Sequence, residues 1–128
     1  MRYLMDTHIL IWYLNKVYKR ISKKLLEIIQ NQQNEIYISM ASLWEITIKL
    51  NIGKFKPKIK IEDFIDFIYK SPLILLDIEE KHLLKYRYLP LIHKESFDRM
   101  IIATAISEDL TIITHDKEIR KYQMIKWI

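Results

Sequence analysis

The sequence of 128 residues contains no cysteine and a single glycine. Without cysteine the chain cannot form a disulfide, a thiolate zinc site, an iron–sulfur cluster or a cysteine nucleophile. Any metal ion must therefore be bound by oxygen or imidazole ligands. The lone glycine, Gly53, excludes a glycine-rich phosphate loop and a dinucleotide fingerprint, because each needs several backbone positions without a Cβ atom. The common classes of nucleotide-binding enzyme are thus not expected.

Long apolar runs and linker-like segments are also missing. The longest apolar run near the start, Ile9 to Leu14, is far shorter than the ~20 residues that a membrane helix needs. Asp6 and His8 interrupt anything like a signal-peptide core. Tracts rich in Pro, Gly or Ser and internal repeats are absent, and the length suits one compact core. We therefore expect a single domain over residues 1–128, in the cytoplasm and without a membrane partner.

The composition is that of a folded domain with a modest excess of positive charge. Half of the residues are hydrophobic, which is too many for a disordered chain. The 21 Lys and Arg against 16 Asp and Glu give a net charge of +5. This charge favours an anionic partner but does not identify one, because many solvated surfaces carry as much.

The hydrophobic pattern alternates short apolar runs with amphipathic segments. Predicted strands cover 2–5, 35–39, 73–76, 110–114 and 124–128. Predicted helical segments cover 7–15, 22–31, 41–51, 61–69, 79–88, 97–108 and 116–122. Short apolar strands without clear alternation, separated by such helices, are typical of a parallel sheet covered on both faces. The predicted fold class is α/β, a three-layer sandwich with a central, mostly parallel sheet flanked by helices.

Four acidic residues lie where strands end or helices begin. Asp6 follows the first strand, and Glu45 lies in the first turns after the second. Asp98 opens its predicted helix, and Asp116 follows the strand at 110–114. In a parallel sheet the functional crevice lies beyond the carboxyl ends of the strands. The four carboxylates could therefore converge in one crevice.

Helix capping is the competing explanation for each acid taken singly, since a carboxylate at a helix start accepts free N–H groups for about 0.5–2 kcal/mol. Ser42 and Glu45 have the spacing of a capping box, and Glu45 and Lys49 that of an i,i+4 ion pair. Each acid, however, has a hydroxyl neighbour that could cap in its place: Thr7, Ser42, Ser96 and Thr114. Two carboxylates ~4 Å apart also repel by about 4 kcal/mol at an effective dielectric constant of ~20, more than capping returns.

A hard divalent cation would remove this repulsion, because Mg²⁺ and Mn²⁺ prefer carboxylate and water oxygens. A carboxylate-rich site suits phosphodiester hydrolysis, in which the metal lowers the pKa of a bound water and neutralises charge growing on the phosphate. One ion or two would serve equally well. The histidines beside these acids share no compact metal-binding spacing, so we expect polar-surface roles for His8, His93 and His115.

Four segments carry these acids: LMDTHILIWYL near the N-terminus, SLWEITIK at 42–49, SFDRMIIATA at 96–105 and TIITHDKEIRKY at 111–122. In order and spacing over the whole chain, they resemble the motifs of PIN-domain ribonucleases, and in particular the VapC-type toxins of type II toxin–antitoxin pairs. One segment departs from the pattern. Such toxins often carry DPFDR, whereas this chain has ESFDR at 95–99, which leaves open the path of the loop and any role of Glu95.

The resemblance implies a PIN-like fold and an endoribonuclease that depends on Mg²⁺ or Mn²⁺. It implies that the metal is surrounded by four residues: Asp6, Glu45, Asp98 and Asp116. We expect Asp6 and Asp98 to bind the metal directly, and the other two to bind it directly or through water. The resemblance further implies homodimerisation and neutralisation by a small antitoxin protein that occupies the groove at the site.

Neighbouring residues are candidates for contacts with the RNA substrate. Thr7 could bond a metal water or the scissile phosphate, with helix capping as the alternative. Thr114 could do the same or hold the neighbouring acid in place. Arg99 could contact phosphate or form a surface ion pair. The basic stretches 16–20 and 54–60 combine lysines with aromatic rings, as single-stranded RNA recognition requires, although solvated surface explains such runs more often.

Two other functions stay open. A non-catalytic RNA-binding or interaction module on the same fold would bind RNA regardless of Asp6→Asn or chelators. A phosphatase of the haloacid-dehalogenase type would carry a second Asp two residues after the first, but His8 occupies that position. The large aromatic residues do not separate these functions, because a core or dimer face explains them first: Trp12, Tyr13 and Trp44.

Overall fold

The computed structural model describes residues 1–55 and 60–128, so residues 56–59 of the predicted basic stretch lie outside the described residues. The strands are β1 (Arg2–Met5), β2 (Glu35–Ser39), β3 (Ile74–Leu76), β4 (Thr111–Ile113) and β5 (Lys126–Trp127). The helices are α1 (Thr7–Leu14), α2 (Lys23–Gln30), α3 (Met40–Asn51), α4 (Ile61–Lys70), α5 (Glu80–Arg87), α6 (Ser96–Glu108) and α7 (Lys117–Arg120). All the predicted strands and helices are present, and a 3₁₀ turn at Tyr18–Arg20 was not predicted.

The five strands form one parallel sheet in the order β3-β2-β1-β4-β5. β1 is central, and its last residue, Met5, pairs with Ile38 of β2 on one side and Ile113 of β4 on the other. The predicted three-layer α/β sandwich is therefore confirmed, with the sheet parallel throughout. Because β1, β2 and β4 are neighbours, the residues that follow them meet at one edge of the sheet.

The two faces of the sheet bury two separate apolar clusters. Side chains alternate along a strand, so Tyr3 and Met5 pack with residues of α1, α2, α3 and α4, whereas Leu4 packs with residues of α6 and α7. Both faces of the central strand are thus buried, which explains its continuous apolar run. In the part of the chain that the structure describes, no helix is both long and apolar enough to cross a membrane.

Carboxylates, and not the neighbouring hydroxyls, cap three of the helices. Asp6 caps α1 by accepting the backbone N–H three residues on at 2.8 Å. Asp116 caps α7 at 2.8 Å, and Glu95 caps α6 at 2.6 Å. Thr7, Ser96 and Thr114 could have capped these helices but do not, because Asp6, Glu95 and Asp116 occupy the N-cap positions. Capping, the competing explanation for the acids, is confirmed for Asp6 and Asp116.

Helix α3 begins earlier than the sequence predicts, and this changes the position of Glu45. Ser39 is its N-cap and accepts the N–H of Ala41 at 3.0 Å. The predicted capping box of Ser42 and Glu45 is therefore wrong, since both residues lie inside the helix. The predicted ion pair is confirmed, with Lys49 Nζ 2.9 Å from Glu45 Oε2.

Candidate active site

Four acidic side chains come together beyond the carboxyl ends of β1, β2 and β4. Asp6 directly follows β1, and Asp116 lies three residues after the end of β4; each caps the next helix. Glu45 extends from the second turn of α3, and Asp98 from the first turn of α6. They are near enough that the charges of the other three each raise the pKa of Asp98. The structure thus brings all four predicted acids to one place.

Asp6 is 2% exposed, and each of its carboxylate oxygens accepts a hydrogen bond. Oδ1 accepts the N–H of Ile9, and Oδ2 accepts the hydroxyl of Thr114. The same Thr114 oxygen accepts the N–H of Asp116 at 2.9 Å. Burial raises the pKa of Asp6, while the bonds from Ile9 and Thr114 oppose that rise. Thr114 therefore connects two of the four acids and fixes the orientation of Asp6.

Asp98 has a strongly raised pKa. Burial raises its pKa first, and the nearby charges of Glu95, Asp116, Glu45 and Asp6 raise it further, to about 8. Its Oδ2 lies 3.2 Å from Nε2 of His93. A carboxyl group with this pKa retains a proton near neutral pH when no cation is close. The cluster consequently resists carrying its full negative charge.

Glu45 has one carboxylate oxygen without a donor. Its Oε2 pairs with Lys49, but Oε1 is buried and receives no hydrogen bond from the described residues. A buried acceptor without a partner costs about 1–3 kcal/mol, and more when it is charged. A divalent cation that prefers oxygen ligands would remove this cost and the mutual repulsion of the acids. The donor set of the site therefore fits Mg²⁺ or Mn²⁺.

The family model of the PIN domain matches residues 3–124. The chain belongs to the PIN domain family. No curated protein sequence matches it significantly. The PIN family is a family of nucleases, so membership supports nuclease activity for this chain.

Several solved structures share the fold of this PIN domain. VapBC2 from Rickettsia felis bound to a promoter DNA fragment is 23% identical, with a TM-score of 0.71 and coverage of 100% of this chain and 98% of that chain. VapBC-1 from nontypeable Haemophilus influenzae is 22% identical, with a TM-score of 0.67 and coverage of 100% and 97%. DNA-bound VapBC from Salmonella typhimurium is 17% identical, with a TM-score of 0.65 and coverage of 100% and 97%. At these identities the likeness concerns the fold.

Both threonines predicted to touch substrate are buried in the PIN domain. Thr7 is 2% exposed, and its hydroxyl hydrogen-bonds that of Ser42 at 2.9 Å, which links α1 to α3. Thr114 is fully buried between Asp6 and Asp116. For Thr114 this arrangement agrees with the alternative role of holding a neighbouring acid in place.

Arg99 is 6% exposed, so the alternative of a surface ion pair is wrong. Its Nη1 donates to the carbonyls of Pro90 at 2.9 Å and His93 at 3.3 Å, and to the hydroxyl of Tyr122 at 2.9 Å. The guanidinium carbon also lies 5.2 Å from the ring centroid of Tyr86. Through these bonds the buried guanidinium of Arg99 fixes the backbone of the loop before α6. Glu95, whose role the sequence left open, caps α6 beside Asp98.

The sequence gives no sign of the place that His93 takes in the site. Its side chain is 12% exposed and contacts Asp98 and Tyr122, so the predicted surface role is wrong. His93 lies in a loop without periodicity, and its partner Tyr122 lies 29 residues further along the chain. Only the packing of α7 against α6 brings these residues together.

Two cavities extend from the acids along α1 and share the side chains of His8 and Trp12. The smaller, of about 150 Å³, is also lined by Asp6 and Asp116, and the larger has a volume of about 550 Å³. Basic side chains border the larger cavity: Arg20, Lys49 and Lys54. The guanidinium carbon of Arg20 lies 5.7 Å from the ring centroid of Trp12. We call these two cavities together the Trp12 groove.

An apolar groove of about 260 Å³ lies on the other side of the acids, between α3, α5 and α6. Trp44 is 58% exposed and packs edge-on against Phe97, with ring centroids 5.2 Å apart. Leu83 is 53% exposed and lines the same groove. Trp44 and Phe97 directly precede Glu45 and Asp98 in the chain, so the apolar groove borders the site.

Among the residues that the structure describes, a compact group of possible metal ligands is formed by Glu79, His82 and Glu108, whose ligand atoms lie within 4.8 Å of one another. No three of the four acids reach this distance among the described residues. His82 already uses both ring nitrogens, since Nδ1 accepts the N–H of Glu79 at 3.0 Å and Nε2 bonds Glu108 at 3.0 Å. Lys81 also pairs with Glu108 at 2.7 Å. This group joins α5 to α6 and is explained by those bonds.

Proposed function

We propose that this chain is a single PIN-like domain that acts as an endoribonuclease dependent on Mg²⁺ or Mn²⁺, and that it is the toxin of a type II toxin–antitoxin pair. The observation that carries the proposal is the set of four converging carboxylates. Burial and the neighbouring carboxylates raise the pKa of Asp98 to about 8, and Glu45 Oε1 has no hydrogen-bond donor among the described residues. Such a site gains most from a doubly charged cation. Membership of the PIN domain family supports nuclease activity.

In this proposal Asp6 and Asp98 would bind the cation directly, and Glu45 and Asp116 would bind it directly or through water. When bound, the cation makes a water molecule more acidic and offsets negative charge that grows on the phosphate. The protein contributes the geometry. Thr114 holds Asp6 through Oδ2, and the N-cap bonds of Asp6 and Asp116 hold both carboxylates at helix starts. Glu45 and Asp116 would orient the attacking water.

The Trp12 groove supports a single-stranded RNA substrate. It begins at Asp6 and Asp116 and passes the Trp12 ring before it reaches the basic side chains that border the larger cavity. Single-stranded RNA is bound by stacking of exposed bases on aromatic rings and by cations along the phosphates. A strand in this groove would carry one phosphate past the acids. Thr7, Arg99 and Thr114 are buried, so a contact of any of them with the RNA would require a rearrangement of the site.

The apolar groove supports a protein partner. Large exposed apolar side chains that cluster around a groove are typical of protein contact surfaces, whereas singly scattered ones are ordinary. A small antitoxin with an apolar segment seated beside Trp44 and Phe97 would cover the entrance to the acids. The similar structures named above are VapBC assemblies, which agrees with such a partner. The exposed Leu84 and Tyr88, 65% and 78% accessible, suit a homodimer contact.

The decisive experiment compares wild type with Asp6→Asn on total RNA in Mn²⁺, Mg²⁺ or EDTA. Asp77→Asn, an exposed carboxylate that follows β3 and is not one of the four acids, is the matched control. We expect cleavage by wild type and by Asp77→Asn in either metal, and no cleavage by Asp6→Asn or in EDTA. RNA binding without cleavage, unaffected by Asp6→Asn and by EDTA, would instead identify the non-catalytic RNA-binding module. Cleavage of single-stranded DNA at the same rate would contradict the RNA assignment.

A further inference from the structure

We propose that His93 is a positioning residue that orients the carboxylate of Asp98 for metal binding, as the last donor in a chain of hydrogen bonds that begins at Arg99 and passes through Tyr122. The inference rests on the proposed function only in taking a metal ion as the ligand of Asp98. The hydrogen bonds themselves belong to the protein without any ligand.

The direction of each hydrogen bond in this series follows from what each group can donate. A guanidinium has no acceptor, so Arg99 Nη1 donates to the hydroxyl oxygen of Tyr122 at 2.9 Å. The Tyr122 hydroxyl then has its hydrogen available for Nδ1 of His93, 2.8 Å away. Nδ1 is therefore an acceptor. A neutral imidazole that accepts at Nδ1 carries its hydrogen on Nε2, which donates to Oδ2 of Asp98 at 3.2 Å.

The two rings in this series of hydrogen bonds also contact each other directly. The rings of His93 and Tyr122 meet edge to face at 5.4 Å, so their relative orientation is fixed by packing as well.

Arg99 holds His93 at two points. One is the chain through Tyr122, and the other is the bond from its Nη1 to the His93 carbonyl at 3.3 Å. Arg99 follows Asp98 on α6, so the helix that presents the carboxylate also fixes the loop that orients it. The bond from His93 is made to Oδ2 of Asp98, so Oδ1 would be the oxygen available to a cation. Groups of this kind behind a ligand typically change metal affinity by about 10–100-fold when removed.

The first test needs no metal. Nitrogen-15 NMR of the imidazole in the metal-free protein at pH 7.5 reports which ring nitrogen of His93 carries the hydrogen. We expect the Nε2–H form in wild type and a mixture of the two neutral forms in Tyr122→Phe, which lacks the hydroxyl donor. A wild-type Nδ1–H form, or a charged ring, would overturn the proposal.

The second test compares two amide variants that reach different positions. In His93→Gln the amide can occupy the place of Nε2 and still donate to Asp98, whereas in His93→Asn it can occupy the place of Nδ1 and reach Tyr122 only. We expect calorimetric Mn²⁺ affinity within about threefold of wild type for His93→Gln, and about 10–100-fold weaker for His93→Asn. Equal affinities for the two variants would overturn the proposal, because a merely structural histidine would be affected alike by both.

Thermal unfolding of both variants without metal checks that they are folded. If wild type fails to bind Mn²⁺, the proposed function fails and the role in metal binding fails with it. The NMR result would then still decide whether the hydrogen-bond chain exists. If wild type binds Mn²⁺ and only the comparison of Gln with Asn fails, the inference about His93 alone is refuted.

Discussion

Replacing Asp98 by Asn should make the metal-free protein more stable at pH 8. The pKa of Asp98 is raised from 3.8 to about 8, by burial first and then by the neighbouring carboxylates. The folded state therefore holds this proton more tightly than the unfolded state, and the free energy of unfolding falls as the pH rises from about 4 to 8. Asn removes the ionisation and hence this loss.

The size of the effect follows from the same shift. Each pKa unit corresponds to about 1.4 kcal/mol, which sets an upper limit of about 6 kcal/mol at pH 8. Because the site opens to solvent, water and buffer ions screen part of the repulsion. We expect a gain of about 2 kcal/mol for Asp98→Asn, which is about 8 °C in Tm for a chain of this length. Below about pH 4.5 the gain should nearly vanish, since Asp98 is then protonated in the folded state.

Thermal unfolding followed by circular dichroism, in EDTA at pH 4.5 and pH 8, measures this difference. Wild type should also gain stability from millimolar Mn²⁺ at pH 8, whereas Asp98→Asn should gain little, because a cation stabilises the state that it binds in proportion to its affinity. Asp77→Asn serves as the control and should behave as wild type. A less stable Asp98→Asn protein at pH 8, or a difference independent of pH, would refute the repulsion among the acids.

Three further variants test other parts of the structure. Thr114→Val should lower the free energy of unfolding in urea by about 1–3 kcal/mol, because Asp6 Oδ2 loses its donor and the N–H of Asp116 loses its acceptor. An unchanged free energy would contradict the bonds described. Trp12→Ala should weaken binding of single-stranded RNA in EDTA on the order of tenfold through lost stacking. Trp44→Ala, which removes an indole of the apolar groove, should not weaken this binding. Equal effects of the two substitutions would rule out the Trp12 groove as the RNA site. Arg99→Lys should lower the free energy of unfolding by about 2–3 kcal/mol, since the lysine ammonium lacks the planar fork with which the guanidinium bonds its acceptors. The exposed Arg87→Lys should lower it by under about 0.5 kcal/mol.

The order of strands and helices could be predicted from the sequence because each follows from local pattern. The polar run from Gln30 to Asn34 ends one helix, and Pro90 ends the helix predicted at 79–88. Both signals act locally, whatever the rest of the chain does. Burial on both faces of the sheet makes the strands uniformly apolar, and that pattern already indicates a parallel sheet. Once the sheet is parallel, Asp6, Glu45 and Asp116 must lie at one edge.

Tertiary structure alone decided how the neighbours of the acids are used. Whether Asp6 or Thr7 caps α1 depends on which residue stands at the first N–H groups of the helix, and this changes with a shift of one residue. The place of His93 depends on Tyr122, and the burial of Arg99 depends on carbonyls of a loop with no pattern of its own. Contacts between residues distant in the chain leave no local signal, because they form only when separate helices pack on the same face of the sheet.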